Sequence, residues 1–598
     1  MRRPVRIAVV CLAGVMAVLY AALGLARYET FHNRTFDLAM YVRMAWGLVH
    51  GHLWDPVVGA HVLGLHLSPV LLPIGLLGLL GETAHVAIVA QAVALGAAAW
   101  PLARMGARRF GGFGAVVGAA VWLLHPNIGH VAGYEFHPGT LAVLPLAWGM
   151  DALDRGDGRA LAWATVAVLL CREDLGLITA IMAVWFLWAH RGQSSAAKRG
   201  PRLALAASLG VVLLFFAVLH PVFAPPEGSM EAHFGKWGGG LGAVILRWVT
   251  DPGAVVAHLA EPRRLAYLPM VLGTVGWLPL LAPRWLLFTL PVLAINLMSQ
   301  FPTTTDLSVH YLTPAVPALV AGGLDGASRL ARWVPPRWAA AGPLVLLVSA
   351  AVAHGLGGGT PLSADFDVSQ FRRDARTEAA EAVVAAIPPG ASVQAPDALL
   401  PHLAEREWVR RGPPPERVTD YVVLDLWHRA RFHGRETVLR TREEPHARNW
   451  LARDDHAVVR AAGPYVVLER GRSPREGIVG RYVVGRAPVD AGVPITSCLS
   501  VLGAEDLGDD RVAFDLVARG PCWRDMALRV GARPRPTRAE LPFDGLLSPE
   551  HLRAGDRLRS VHTVPGAAGA AVVYIGAVRS SGAKPEHGDP YGVVVELE

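Results

Sequence analysis

The first 356 residues consist of apolar runs separated by short polar loops, and this pattern restricts the chain to a bundle of membrane-spanning helices. The run from Ile7 to Ala26 is unbroken. Its length matches the roughly 20 apolar residues that a helix needs to cross a bilayer core about 30 Å thick. The pattern predicts about eleven such spans, at residues 7–26, 83–103, 112–131, 138–153, 159–171, 174–190, 203–223, 265–282, 285–300, 311–326 and 339–356.

The composition excludes an ordinary soluble enzyme. Charged residues make up 18% of the chain, against about a quarter in a typical globular protein, and the mean hydropathy is +0.34. Charge, proline and arginine return after residue 356, so the chain divides into a membrane half and a soluble half. The net charge of +7 does not indicate a nucleic-acid partner, because most arginines of the membrane half lie in short loops, where they set orientation.

Three arginines precede the first apolar run, as basic residues do in a signal peptide. That run is too long for a typical signal peptide and more runs follow, so we interpret it as a retained anchor with its N-terminus in the cytoplasm. An odd number of spans then places everything after residue 356 outside. We expect a multi-pass protein of the cytoplasmic (inner) membrane with extracytoplasmic C-terminal domains.

The loop charges agree with this topology. Each predicted inner loop carries basic residues, as the positive-inside rule requires. These are Arg104, Arg108 and Arg109; Arg155 and Arg159; Arg191, Lys198, Arg199 and Arg202; Arg284; and Arg329, Arg332 and Arg337. Arg263 and Arg264 fall on the outer side, so they are either an interfacial pair or the sign of a misplaced boundary.

Residues 28–82 form one large first outer loop in this topology. Segment 66–81 is apolar but short and contains two prolines, which favours an interfacial or re-entrant helix over a full span. Residues 36–49 carry apolar side chains at helical spacing and predict an amphipathic helix on the membrane surface. Asp37 would lie in its first turn, where the helix dipole favours negative charge.

Ionisable residues collect at the outer ends of the predicted spans, where they are costly unless they line a wet cavity. Acidic groups there can act as general bases or hold a divalent cation, and histidine can do either. Structural alternatives stay open: Asp37 as a helix cap, Glu135 as an ion-pair partner, and Glu173 or Asp174 paired with Arg172. The candidates are Asp37, His66, Glu135, His137, Glu173, Asp174, His310 and Tyr311.

Several short motifs occur in an order that resembles an uncharacterised family of predicted bacterial and archaeal membrane proteins, a domain of unknown function. The resemblance extends from about residue 20 to Tyr465-Val466-Val467-Leu468 near residue 470. The family usually has glutamine at or near the position of Arg43, so this chain departs from it in the first loop. The motifs are Phe36-Asp37-Leu38 followed by Trp46 and Gly47, His66-Leu67-Ser68-Pro69, Gln91, Phe136-His137-Pro138, Glu173-Asp174 and His310-Tyr311.

That family in turn resembles the GT-C superfamily of polytopic glycosyltransferases, such as protein O-mannosyltransferases and aminoarabinose transferases. The resemblance implies a GT-C-like helical membrane domain and a sugar transferred from a polyprenyl-phosphate donor at the outer face, with the acceptor left open. Asp37 and Glu135 take the positions of the two catalytic acids. His66 takes that of a diphosphate or metal contact, and a divalent ion held by Asp37, His66 and Glu135 is left open.

The other candidates are assigned to the substrate or the lipid phosphate. Arg43 and Arg172 are interpreted as outward-facing cations that neutralise the phosphate leaving group. The same general role is assigned to His137, Glu173, Asp174, His310 and Tyr311.

The predicted domains are residues 1–356, a GT-C-like transmembrane domain; 361–472, a small α/β domain in which helix and strand alternate; and 476–598, a β-rich, sandwich-like domain. Cys498 and Cys522 share the last domain, where they form either a disulfide or two buried thiols. A non-catalytic membrane scaffold remains an alternative to the glycosyltransferase. A transporter is less favoured, because the ionisable residues gather at one face and the sequence has no visible internal repeat.

Overall fold

A computed structural model of the chain describes residues 1–33, 35–224, 233–238, 241–412, 419–425, 429–432, 435–438, 449–451, 453–473, 482–522, 526–532, 538–540, 551–564, 567, 570, 572–579 and 593–596. Two compact units emerge. The first comprises Met1–Asp374 and Asp397–Val409, and the second comprises Ala375–Pro396 and Arg410–Glu598.

The first unit is built from helices, as the apolar runs predict. Several are interrupted by prolines or short 3-10 turns, so adjoining pieces share one predicted span. Their bounds are Arg3–Glu29, Asp37–Val49, Val62–Leu65, Leu71–Gly78, Thr83–Ala97, Ala99–Leu123, Pro126–Ala132, Pro138–Leu141, Val143–Arg155, Gly158–Leu169, Gly176–Ala189, Ser195–Leu214, His220–Phe223, Leu241–Thr250, Pro252–Leu259, Pro262–Gly273, Leu290–Met298, Val316–Trp333, Ala341–Gly357 and Leu400–Leu403.

Many large apolar side chains on these helices face outward. Val18 is 71% exposed and Leu356 is 73% exposed. Such a surface is suited to lipid rather than to water. Among the described residues, four helical stretches are long and apolar enough to cross a membrane: Arg3–Glu29, Thr83–Leu123, Ser195–Phe223 and Pro336–Gly357. The helical, membrane-type character of this unit is therefore confirmed, while the number of eleven spans stays a prediction.

The chain reverses direction inside the Ala99–Leu123 segment. Gly111 adopts φ +61° and ψ −145°, a conformation that only glycine adopts without strain. The two arms then pack closely, because a Cβ on Gly106 would lie 1.9 Å from the carbonyl oxygen of Gly114, and one on Gly118 would lie 2.6 Å from that of Leu102. This hairpin agrees with the reversal predicted at the Arg104–Arg109 loop.

Basic residues from the predicted inner loops converge on three largely buried aspartates, Asp151, Asp154 and Asp325. Arg109, for example, binds Asp154 at 2.5 Å, and Arg284 binds Asp325 at 3.0 Å. Loops far apart in the sequence therefore meet at one end of the helices, as the topology requires. The arginines of this arginine–aspartate cluster are Arg104, Arg108, Arg109, Arg155, Arg284 and Arg329.

The helical stretch from residue 138 to residue 155 separates the two ends of the unit. It starts at Pro138, which occupies the first helical turn, and ends at Gly156, whose φ of +67° suits a helix C-terminus. At 1.5 Å per residue this stretch is about 27 Å long, close to the hydrocarbon thickness of a bilayer. Glu135 and His137 precede its start, whereas Asp151 and Asp154 lie near its end.

The first outer loop contains the predicted helix, Asp37–Val49, but this helix is packed inside the unit. Its residues from Leu38 to Ala45 are all buried, and a Cβ on Gly75 would lie 2.2 Å from the carbonyl oxygen of Ala45. The Leu71–Gly78 helix therefore covers it, and its predicted position on the membrane surface is wrong. Leu71–Gly78 itself is about 12 Å long, too short for a span, and exposes apolar side chains such as Leu76.

The second unit contains the Ala375–Val384 helix and two kinds of sheet. Its α/β part has a five-stranded sheet in the order Val409–Arg411, Val393–Ala395, Tyr421–Asp425, Tyr465–Arg470, His456–Ala462. It also has a separate two-stranded hairpin, formed by Arg429–Phe432 and Arg435–Val438. The β-rich part has two antiparallel sheets. The first has the order Val483–Arg486, Asp556–Thr563, Arg511–Ala518, Leu499–Asp506, Val493–Pro494, and the second the order Arg538–Glu540, Met526–Gly531, Val572–Arg579, Val593–Glu596.

The predicted β-rich character of the C-terminal region is confirmed. Buried residues of both antiparallel sheets and of the α/β sheet belong to one hydrophobic cluster, in which Val422, Leu516 and Ile575 take part. Cys498 and Cys522 form a disulfide. The division at residues 361–472 and 476–598 stays a prediction, and the predicted strand ends at Ala571, Tyr591 and Leu597 lie outside the described residues.

Replacement of Gly106 by alanine should destabilise the first unit, because the new methyl group would overlap the Gly114 carbonyl. Gly210→Ala is the matched control, since nothing lies within 4 Å of its position for a Cβ. Thermal unfolding of the full chain in detergent should show a lower midpoint for Gly106→Ala alone. Equal midpoints for both variants would contradict the close packing of the hairpin.

Asp55 should make stability depend on pH. It is fully buried in the Trp54–Asp55 strand of the first outer loop, and burial raises its pKa from 3.8 to about 7, an effect that the Val57 N–H and the charge of Arg43 only partly offset. Because the pKa of Asp55 is raised in the folded state, its protonated carboxyl group stabilises the fold. This contribution is fully present below the ordinary pKa of 3.8 and is lost as the pH rises through about 7.

Asp55→Asn removes this titration while keeping an acceptor for the Val57 N–H, 2.8 Å away. The thermal midpoint of the wild type should fall more steeply between about pH 5 and about pH 8 than that of Asp55→Asn. The exposed Asp490→Asn serves as control and should follow the wild type. Parallel curves for wild type and Asp55→Asn would show that Asp55 does not titrate in this range.

Candidate functional site

Two carboxyl groups meet where the first outer loop reaches the start of the Pro138 helix. Asp37 is the first residue of the Asp37–Val49 helix, and Glu135 is buried. Glu135 accepts hydrogen bonds from the backbone N–H groups of Thr35 at 2.5 Å and Leu38 at 3.1 Å. The Thr35 hydroxyl lies 2.8 Å from a carboxylate oxygen of each acid, so this threonine bridges the pair.

The Thr35 hydroxyl has one proton for the two carboxyl groups that it contacts. Burial, and then the negative charge of Asp37, raise the pKa of Glu135 to about 7, although the backbone N–H groups of Thr35 and Leu38 oppose this effect. The surroundings of Glu135 therefore disfavour its charged form.

His137 connects the pair to the helix that follows. Its Nδ1 lies 3.0 Å from the backbone carbonyl of Glu135 and is the donor, because a carbonyl can only accept. Its Nε2 lies 3.2 Å from Asp37 Oδ2. The backbone N–H of His137 donates to Gln91 Oε1 at 3.1 Å, and Gln91 in turn donates to the carbonyl of Val131. The orientation of the imidazole is therefore fixed on two sides, with Nε2 directed at Asp37.

His310 completes a group of possible metal ligands. Its ring stacks on that of His137 with 3.6 Å between centroids, and its Nδ1 is buried without a hydrogen-bond partner among the described residues. One ligand atom each of Asp37, His137 and His310 lies within 4.8 Å of the others. Of the metal candidates expected from sequence, this group contains Asp37 but neither His66 nor Glu135.

Two ion pairs lie beside this group. In the first pair, His66 Nδ1 contacts Glu173 at 2.9 Å, and the same carboxylate accepts a hydrogen bond from the Leu67 N–H at 2.8 Å. In the second pair, Arg172 binds both oxygens of Asp174, at 2.9 and 2.8 Å. Burial by itself would raise the pKa of Glu173, but His66 and Arg172 outweigh it and hold the pKa below its usual value. These four predicted site residues are therefore paired with one another.

His233 is a member of this region that the sequence analysis did not select. Its ring lies 5.8 Å from that of Tyr311, and its Nδ1 contacts Ser299 Oγ at 2.9 Å. Burial, followed by the positive charges of Arg172 and His66, lowers its pKa to about 4. It lies in a loop between two predicted spans and away from their ends, so the criterion that selected the other candidates did not reach it.

Arg43 is not brought to this region. It is 1% exposed, its Nη2 donates to the carbonyl of Glu407 at 3.0 Å, and its guanidinium lies over the ring of Trp46. Arg43 follows Asp37 by six positions in the same helix, so the two side chains point about 120° apart around the helix axis. The sequence reveals the helix but leaves open which side faces the acids.

Comparisons with known proteins give a family and a distant likeness to a solved structure. The family described as "Predicted membrane protein (DUF2079)" matches residues 27–446. No curated protein matches the chain. Among solved structures, the chain is similar to the crystal structure of ArnT from Cupriavidus metallidurans in the apo state, at 13% identity, with a TM-score of 0.34, over 75% of this chain and 97% of that chain. A likeness at that TM-score does not establish a shared fold.

Proposed function

Since the chain belongs to the DUF2079 family of predicted membrane proteins, we propose that it is a membrane glycosyltransferase of the GT-C type. It would move a sugar from a polyprenyl-phosphate donor to an acceptor at the outer face of the cytoplasmic membrane. The observation that carries this proposal is the pair of acids bridged by Thr35, Asp37 and Glu135, with His137 against Asp37.

The location of these acids suits a lipid-linked donor. They precede a helical stretch about 27 Å long whose other end carries the arginine–aspartate cluster, so they lie at the level of one membrane surface. A polyprenyl-phosphate sugar presents its reactive carbon at that level, beside lipid and open to an aqueous acceptor. Buried ionisable groups at such a depth are costly, and a catalytic role explains why they are kept.

The proposed reaction is a displacement at the anomeric carbon. The acceptor hydroxyl oxygen forms a bond to that carbon, the bond from the carbon to the phosphate oxygen breaks, and the lipid phosphate leaves with the bonding electrons. Asp37 takes the proton of the acceptor hydroxyl as general base. Glu135 and Thr35 hold Asp37 in position through the hydroxyl bridge.

Basic groups beside the acids suit the negative leaving group. Arg172 and His66 lie close enough to lower the pKa of His233 by their charge. Both are already paired with carboxylates, so we propose that they contribute to the local positive potential rather than clamp a phosphate alone. Tyr311 and His310 form an aromatic wall there, with 4.3 Å between their ring centroids.

The donor set of Asp37, His137 and His310 fits a divalent metal ion. One carboxylate and two imidazoles are ligands that zinc and other transition metals accept, and the Nδ1 contact of His137 with a carbonyl is the second bond that orients metal-binding histidines. His310 Nδ1 is buried and has no hydrogen-bond partner among the described residues, so this nitrogen can serve as the ligand atom of His310. A bound divalent ion would supply positive charge for a phosphate oxygen.

The proposed orientation puts the second unit outside the cytoplasm. The disulfide between Cys498 and Cys522 supports this placement, because disulfides persist in oxidising compartments and are rare in the cytosol.

Replacement of the acids by their amides should abolish transfer. Asp37→Asn removes the general base, and turnover should fall by about 10²–10⁴-fold. Glu135→Gln should reduce turnover less, because Glu135 acts on Asp37 through Thr35 and does not itself take the proton of the acceptor. The assay is release of polyprenyl phosphate from a panel of polyprenyl-phosphate sugars by the full chain in membranes, with Asp251→Asn as a control carboxylate outside the group.

Expression and thermal stability of each variant must match the wild type for the comparison to count. Unchanged turnover in Asp37→Asn would refute the catalytic assignment. If no donor in the panel yields lipid phosphate with the wild-type chain, the non-catalytic scaffold becomes the better description of the protein.

Metal binding can be measured without any substrate. Purified full-length protein is titrated with Zn²⁺ or Mn²⁺ alone in a calorimeter, and its metal content is determined by mass spectrometry. His137→Asn and His310→Asn should each weaken binding at least about tenfold, since each removes one of three ligands. His50→Asn, on an exposed histidine, is the control, and equal metal content in all four proteins would exclude this site.

A further inference from the structure

A second group of charged residues lies where the Pro262–Gly273 helix begins, and it has no role in the proposed reaction. Arg263 and Arg264 both bind Glu261, Arg263 through a contact of 3.1 Å. Arg264 is fully buried, and it also donates to the carbonyls of Leu297 and Ser299. These contacts place the arginine pair in one charged cluster with Glu261.

Lys236 and His258 extend this cluster. The ammonium group of Lys236 lies against His258 Nδ1 and 4.5 Å from the centre of the Trp237 ring. The same His258 Nδ1 also lies 3.3 Å from Glu261 Oε1, so both described polar contacts of this ring are made by Nδ1 and its other nitrogen is Nε2. His258 is 4% exposed, and this Nε2 has no hydrogen-bond partner among the described residues.

Among the described residues, the cluster has an excess of positive charge. Lys236, Arg263 and Arg264 are three cations around one described carboxylate, that of Glu261. Burial lowers the pKa of Lys236; the charge of Glu261 opposes this effect, and repulsion from Arg264 and Arg263 adds to it. An anion beside Lys236 and Arg263 would relieve that repulsion.

Exposed apolar side chains surround the charged groups. Val256, on the preceding helix, is 66% exposed, and Leu265, one residue after Arg264, is 62% exposed. Arg263 itself is about one third exposed. The cluster therefore lies at the border between a lipid-facing apolar surface and the polar outer side, at the start of the predicted eighth span.

We propose that this interfacial basic cluster, formed by Lys236, His258, Arg263 and Arg264, binds the phosphate of an anionic membrane lipid. The apolar surface formed by residues such as Val256 and Leu265 would accept the acyl chains, while the exposed Lys236 and the partly exposed Arg263 take the phosphate oxygens and the buried Arg264 adds positive potential. The apolar border favours a lipid over a free phosphate ion. The proposal does not depend on glycosyl transfer.

The test uses the full chain in nanodiscs of phosphatidylcholine containing a minor fraction of phosphatidylglycerol. The measured quantity is the phosphatidylglycerol that stays bound in native mass spectrometry. Lys236→Gln combined with Arg263→Gln should weaken retention about thirtyfold, because each basic residue near an anionic surface contributes about fivefold. Arg247→Gln is the matched control, since Arg247 is an exposed outer-side arginine paired with Asp251.

Arg264 is left intact because its buried contacts hold the chain together. If the double variant has a lower thermal midpoint than the wild type, the single Arg263→Gln variant replaces it and should still lose about fivefold. Equal retention in the wild type and the well-folded variant would overturn the proposal, and so would an equal loss in Arg247→Gln. Displacement of the lipid from wild type by millimolar inorganic phosphate would overturn it in favour of a free phosphate site.

Discussion

The hydroxyl bridge of Thr35 between Asp37 and Glu135 is the interaction on which the rest of the site depends. Glu135 also accepts two backbone N–H groups from the first outer loop, so one buried carboxyl group joins that loop to the start of the Pro138 helix. His137, two residues later, then has its Nε2 directed at Asp37. This connection therefore brings Asp37, from a loop about 100 residues earlier in the chain, to Glu135 and His137.

The low dielectric constant of a bilayer explains why charge is found at the two ends of the first unit. Ionisable groups are costly within hydrocarbon, so they collect where water or a compensating charge is available. At one end, arginines neutralise Asp151, Asp154 and Asp325. At the other, the acids share a bridge and lie among histidines. In the first cluster each aspartate is paired with arginines, whereas the second keeps a buried imidazole nitrogen, His310 Nδ1, without a hydrogen-bond partner among the described residues.

Much of the helical unit could be predicted because its signals are local. Apolar runs reveal the helices, and Gly111 with its neighbouring arginines marks a reversal. The sequence also selected Asp37 and Glu135, but it missed Thr35 and His233 and grouped His66 with the metal candidates. It could not show that Arg43 is directed away from the acids, because the rotation of a helix depends on what packs against it. The same reason explains why the Asp37–Val49 helix was expected on the surface.

The sequence by itself determined that the chain has a helical membrane unit followed by a β-rich region, and that ionisable residues lie at the ends of its spans. These properties follow from hydropathy and spacing along the chain, which need no long-range contact. Only the tertiary structure decided which side chains meet: Thr35 with both acids, His137 with His310, and Lys236 with His258. Such contacts join residues up to about 170 positions apart, and their geometry depends on the packing of whole helices.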